Sequence, residues 1–353
     1  MQYPGDILLE PQGMAGRLPV CDHSCGVEAR MRKSLALQAE FSEEFGACVF
    51  DVTLDCEDGA PVGGEREHAS MVAALACEAV RAGQHLPRAR VAVRVHAVDH
   101  PSFEQDIETV VGGAASALCH LMLPKVESAE ALVRAVRWID EVAERAGRTT
   151  PLPLHALIES PLAVHHAFGI AGHPRVQSLS FGLMDFVSSH GGAIPAAAMG
   201  IGSAEPGADA GQFSHPLVVR AKLEIATACH AHGKVPAHCV VTEFGDVALL
   251  RRAAQQAARL LGYTRMWSIH PAQIRPILEA FAPDPSEIEQ AAQVLLDAHR
   301  AQWAPIAVGG VLHDRASYRY FWQVLQRARQ TGRPVPQETL SWFHQTAAME
   351  EAL

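Results

Sequence analysis

Several things are scarce in this chain, and each scarcity excludes something. No stretch of eighteen consecutive apolar residues occurs, so no membrane-spanning helix is expected. The first residues, MQYPGDILLEPQG, carry neither a basic segment nor a long apolar one, so no secretory signal is expected. Excess basic charge is missing. The net charge is −10, which disfavours nucleic acid or an anionic membrane as partner but leaves room for a small anionic substrate held by a few local cations. The eight cysteines are scattered without the density of a disulfide scaffold, which reads as reduced thiols in a cytoplasmic protein. Charged residues amount to only 19%, against 48% apolar, a balance that excludes disorder and supplies a large core.

What is present is an alternation of short β-type runs with longer helical ones. The candidate strands are 16–20, 47–53, 90–95, 118–123, 153–158, 178–183, 234–239 and 265–269. VESAEALVRAVRWIDEVAERAG and DVALLRRAAQQAARLLGY place apolar residues at helical spacing between them. Eight β/α units over roughly 250 residues match a TIM (β/α)8 barrel. The alternative, a doubly wound open sheet, lacks its GxGxxG after the first strand. The barrel is assigned to residues 1–300. Residues 301–353, where the alternation stops, read as a small helical appendage that serves as lid or oligomer contact. The Gly-, Ala- and Pro-rich stretch Ser189–Ser214 reads as a long loop after strand six.

Ionisable residues collect where these strands end. Strand two leads into LDCEDGAP with Asp55, Glu57 and Asp58. Strand three holds Arg94 and is followed by His96, and strand four leads to Lys125. Strands five to eight give Glu159, Asp185, His238 and His270. Helix capping would favour Ser, Thr and Asn over Glu, Arg and Lys, so capping alone does not account for this set. Active sites on this fold lie at that end of the barrel. Glu159 and Asp185, closing two successive strands, are hard oxygen donors of the kind that hold Mg²⁺ with water and substrate oxygens. Arg94 is placed to bind a carboxylate or a developing oxyanion. Lys125 is either an anion contact or the partner of Glu57 or Asp58. CDHSC (21–25) has no second metal-ligand pair at structural-site spacing, so a zinc site there is rejected. Asp314, in VLHDRA, reads from pattern alone as a helix cap, as do Glu243 and Asp246.

Read in order, six segments resemble the HpcH/HpaI aldolase/citrate lyase family, in its citrate lyase β-subunit and malyl-CoA lyase branch. They are LDCEDGAP, VAVRVHAVD, LMLPKVESAEAL, HALIESPLAVHHA, HPRVQSLSFGLMD and WSIHPAQI, and the resemblance runs from about residue 47 to about 325. It implies a TIM barrel with a mobile C-terminal segment, and Mg²⁺ (Mn²⁺ as alternative) on Glu159 and Asp185. It also implies Arg94 on the substrate carboxylate or enolate oxygen, with Asp55, Glu57 or Asp58 holding metal-bound water or orienting Arg94. Asp314 would complete a neighbouring subunit's site as proton donor or acceptor, in a homotrimer or hexamer. The family's first-strand arginine would be supplied by Arg17 or Arg30, and His96 stands where the family has Asn. The implied activity is Mg²⁺-dependent cleavage or formation of a β-hydroxyacyl thioester, of the malyl-CoA, citramalyl-CoA or citryl type. Two alternatives stand beside it: a class II pyruvate-type aldolase on free hydroxy-oxo acids, and a non-catalytic barrel that binds an acyl thioester.

Overall fold

Eight short segments are buried at nearly every position, and they are the strands of one closed, all-parallel barrel. In chain order they are β1 (Cys21–Cys25), β2 (Phe50–Asp55), β3 (Val91–Arg94), β4 (Leu118–Leu123), β5 (Leu154–Ile158), β6 (Val176–Phe181), β7 (Val235–His238) and β8 (Arg265–Ser268). β8 closes on β1, with Cys21 opposite Met266. The computed structural model describes residues 4–8, 18–82, 89–202 and 210–343. None of its helices is long and apolar enough to cross a membrane. Parallel strands need crossover connections, and helices supply them, among them Glu28–Phe45, Glu65–Ala82, Ala129–Arg145, Pro216–Ala231 and Val247–Leu260. Ser128 starts the helix Ala129–Arg145 by accepting from the Ala131 N–H, and Asp246 caps Val247–Leu260 by accepting from Leu249.

One expectation changes. The first strand is CDHSC, not residues 16–20. Apolar content misdirects the reading, because the polar side chains of this strand have buried partners. Asp22 accepts a 2.6 Å hydrogen bond from Thr53 and faces Arg265 at 2.9 Å. Fully buried Arg265 also donates to Asp51 and to the Pro19 carbonyl, so one guanidinium ties β8 to β2 and to the chain just before β1. Arg90 holds the other oxygen of Asp51. The segment between β5 and β6 is of helix length. It is two helices, Pro161–His165 and Ala167–Ala171, with His166 leaving helical geometry at the joint.

The stretch after β6 begins with a short helix, Leu183–Ser188, followed by a 3₁₀ turn at Ala196–Met199. Its far end is anchored by a buried lysine. Lys222 donates to Gln212 Oε1 at 2.7 Å and lies over the Phe213 ring, while the Gln212 N–H reaches the Gly200 carbonyl.

The chain forms two units, Leu18–Ala280 and Met1–Arg17 with Phe281–Leu353. In the second, helices Pro285–Arg300 and Arg315–Gln330 pack around Tyr318, Trp322 and Leu295. Between them stands a hairpin, β9 (Ile306–Val308) and β10 (Val311–His313). Its turn is Gly309-Gly310, both at positive φ, as a two-residue hairpin turn requires.

Candidate active site

The carboxyl ends of β2, β3, β5 and β6 bring five of the expected residues to one pocket of about 460 Å³. Asp55, Arg94, Glu159 and Asp185 line it with Asp58, and Ser24, Gly26, Arg30, Val240, Trp267 and Ile269 complete the wall.

Asp55 is the anchor of the charged half. Its Oδ1 accepts from the Glu57 N–H and from Arg94 Nε at 2.7 Å, and its Oδ2 accepts from the Gly59 N–H and Arg94 Nη2. A Cβ on Gly59 would lie 2.1 Å from that oxygen, so glycine is required there. Glu57 meets Arg94 Nη1 at 3.1 Å. The Arg94 guanidinium is thus fixed along its Nε/Nη2 edge by Asp55, at Nη1 by Glu57 and on its face by the Trp267 ring, 5.4 Å from the centroid. Burial works to discharge Arg94, and the Asp55 and Glu57 carboxylates outweigh it, so the group is held firmly charged. The planar fork has five N–H donors, and those not taken by Asp55 and Glu57 remain for a ligand in the pocket.

Lys125 resolves its two readings in favour of the ion pair: Nζ donates to Glu57 Oε1 at 2.5 Å and Asp58 Oδ2 at 3.0 Å. Its backbone N–H donates to Glu159 Oε2 at 2.7 Å. Glu159, 4% exposed, is pushed up to about 7 by burial, with the Asp185 and Glu57 charges adding and Arg94 and the Lys125 N–H opposing. Asp185 sits half-buried in the first turn of Leu183–Ser188. A buried carboxylate destabilised as an anion, facing a second carboxylate, is a place where a cation is favourable. The paired donors are hard oxygens, and the soft atoms of the lining are the Met184 thioether and the Cys25 thiol, which burial pushes up to about 11. The pair therefore fits Mg²⁺ held with water and ligand oxygens. Gly182 keeps the space in front of Glu159 clear, since a Cβ there would lie 2.3 Å from Oε1.

Other expected residues are placed elsewhere. His96 turns to Asp106, 2.7 Å away. His238 stacks on Phe213, and His270 on Phe244. Arg17 lies outside the described residues, while Arg30, exposed, lines the pocket mouth. Asp314 belongs to the other unit, where its carboxylate caps the helix Arg315–Gln330 by accepting from Ala316 and Ser317. In CDHSC, His23 bonds Ser268 and Ser34, and the Cys21 and Cys25 thiols are free.

Sequence reasoning missed Trp267, Gly59 and Gly182. Trp267 lies two residues along β8 from buried Arg265, so the strand period puts both on one face, but only the fold shows that this face meets Arg94.

Two clusters with ligand-type atoms occur deeper in the barrel, Asp22/His120/His155 and Asp51/Cys119/His120. The first does not suit a metal. His120 and His155 stack at 3.5 Å with planes only 16° apart, so their in-plane lone pairs cannot meet at one ion. In the second, Asp51 is committed to Arg90 and Arg265, and burial pushes the Cys119 thiol up to about 12.

Comparison with known proteins gives concordant matches. The family model for HpcH/HpaI aldolase/citrate lyase matches residues 36–271. The L-malyl-CoA/beta-methylmalyl-CoA lyase of Cereibacter sphaeroides is 32% identical over 298 residues, spanning 81% of this chain and 90% of the relative. A citrate lyase of Burkholderia xenovorans LB400, known as a crystal structure, superposes with TM-score 0.79 at 46% identity, covering 97% of this chain and 99% of the other. CitE of Mycobacterium tuberculosis, solved with magnesium, acetoacetate and coenzyme A, shares the fold at 21% identity and TM-score 0.61, over 89% of this chain and 99% of that one.

Proposed function

The chain belongs to the HpcH/HpaI aldolase/citrate lyase family, and from that membership we propose that it is a Mg²⁺-dependent carbon–carbon lyase acting on a β-hydroxyacyl thioester. The substrate class is a malyl-CoA, citramalyl-CoA or citryl-type thioester, split into an oxo acid and a shorter acyl thioester, or formed from them. The observation that carries the reading is the pairing of Glu159 and Asp185 with the clamped Arg94 across one pocket. The malyl-CoA lyase activity of the Cereibacter sphaeroides relative supports it.

Mg²⁺ held by Glu159 and Asp185 supplies Lewis acidity toward the oxo-acid oxygens. The chain's own residues do the rest. Breaking the carbon–carbon bond turns the β-hydroxyl into the oxo group, its proton passing to solvent, and leaves the bonding pair on the acyl half as a thioester enolate. Arg94, immobilised by Asp55, Glu57 and Trp267, presents its remaining N–H donors to that oxygen without reorganising. Lys125 offsets part of the charge of Glu57 and Asp58, which lessens the repulsion an anionic substrate meets there. Arg30 at the pocket mouth is the cation that takes the first-strand arginine's role. Asp314 of a second copy delivers the proton to carbon, which makes the working protein a homo-oligomer, a trimer or hexamer. Free thiols throughout the described residues suit a cytoplasmic enzyme.

A mass-spectrometric turnover screen tests this. Protein with and without Mg²⁺ meets malyl-CoA, citramalyl-CoA, citryl-CoA and free 4-hydroxy-2-oxo acids. Mg²⁺-dependent release of a shorter acyl-CoA and an oxo acid is expected. Cleavage of the free acids alone overturns the thioester reading in favour of a pyruvate-type aldolase. Ligand binding without turnover of any compound leaves a binding barrel instead of an enzyme.

A further inference from the structure

Lys125 carries the left-handed backbone that side-chain-bearing residues avoid, with φ of 52°. Among the described residues only Gln302 and Trp303 share a positive φ without being glycine, and both lie in the other unit. Lysine has no short side-chain bond to its own backbone that would ease this conformation, as asparagine has. Strained residues of this kind persist where their surroundings over-determine them, and they gather at functional sites.

Both ends of Lys125 are committed. The β4–β5 ladder stops at Leu123 opposite Ala156. Beyond it the backbone turns, and the Lys125 N–H points not to a ladder carbonyl but to Glu159 Oε2, at 2.7 Å. The side chain runs the other way, to Glu57 and Asp58 after β2. Glu57 in turn holds Arg94. One residue therefore links the carboxylate offered to the cation with the acids that aim the guanidinium. Glu159 is left with Oε1 toward the gap that Gly182 keeps open.

We propose that Lys125 is a positioning residue whose left-handed backbone orients Glu159 as a cation ligand, while its ammonium locks that backbone by bridging Glu57 and Asp58. The inference rests on the divalent-cation reading of the site. Hydrogen bonds behind a ligand set its orientation, and their loss typically weakens metal affinity about 10–100-fold.

The test is Mn²⁺ affinity, read from the electron paramagnetic resonance signal of free Mn²⁺ titrated into metal-free protein, which needs no substrate. Lys125→Ala and Lys125→Met remove the lock and keep the strain. Both are expected to bind Mn²⁺ at least about tenfold more weakly than wild type. Lys125→Gly also lacks the ammonium but adopts the left-handed turn freely, so it is expected to recover about fivefold to tenfold over Lys125→Ala. Unfolding midpoints check that each variant folds, and Lys125→Met retains the apolar stem if Lys125→Ala does not. Equal affinities for the Gly, Ala and Met variants overturn the backbone role, whether they are equally weak or all like wild type. Wild-type affinity in Glu159→Gln instead overturns the cation reading itself, independently of the Lys125 series.

Discussion

At the scale of single residues, Arg94 bears the heaviest demand. Two carboxylates and an indole face hold it, and no lysine could reproduce the set, since an ammonium cannot make the two-pronged contact to Asp55 while also reaching Glu57. Arg94→Lys is expected to lower kcat/KM for thioester cleavage by about 10²–10³-fold, the loss typical of removing a preorganised oxyanion donor. Steady-state kinetics check it, and a variant within a few-fold of wild type would refute the assignment. Arg94, Glu159 and Asp185 were legible in the sequence because each is an ionisable residue at or just past the end of a buried run. Trp267 was not, because a tryptophan in a strand is ordinary core until its neighbour across the barrel is known. Nor was the turn at Lys125, because φ is not written in composition. Lys125 as a residue was visible, but the choice between substrate contact and ion pair needed the position of Glu57.

At the scale of elements, β1 teaches most. CDHSC has no apolar pattern, and the strand exists because Thr53 and Arg265 satisfy Asp22, and Ser268 and Ser34 satisfy His23. Buried polar groups cost stability unless paired, so such a strand is invisible until its partners on other strands are placed. By contrast β5 and β6 are short apolar runs closed by carboxylates, and they were read directly. The barrel interior also sets a pH dependence. Burial pushes His120 down to about 4 and His155 well below its ordinary value, so the folded barrel keeps both neutral. Below about pH 6.5 the unfolded chain takes up protons that the folded one refuses. The stability these groups contribute is therefore intact above about pH 6.5 and is lost as the pH falls toward 4. The loss is on the order of 1 kcal/mol per histidine per pH unit. Urea unfolding at pH 7 and pH 5.5 should show this slope, and the double variant His120→Gln/His155→Leu should flatten it. An unchanged slope in the double variant would contradict the account.

At the scale of the whole molecule, the two units raise the question of how a site is completed. Asp314 caps a helix within its own chain, a task that Asn performs as well as Asp. Asp314→Asn should therefore fold with an unchanged unfolding midpoint and lose turnover. If the acid works in a second copy's pocket, refolding Asp314→Asn together with Glu159→Gln should restore part of the activity, since some mixed sites carry both residues intact. Absence of any recovery, with both variants folded and co-assembled, would place Asp314 outside a shared site. The alternation of strand and helix made the barrel readable from the sequence, and the helical character of the chain after residue 300 was readable too. A role for Asp314 in a second copy was raised by the family resemblance alone, because no pattern within a chain encodes its partner.

The most direct test of the central claim is the initial rate of malyl-type thioester cleavage against Mg²⁺ concentration, for wild type, Glu159→Gln and Asp185→Asn. The account expects a saturable Mg²⁺ dependence in wild type, abolished by a chelator. In both variants it expects a fall of at least about 10²-fold at every Mg²⁺ concentration, with folding preserved. A wild-type rate indifferent to the chelator, or full activity in either variant, would contradict it.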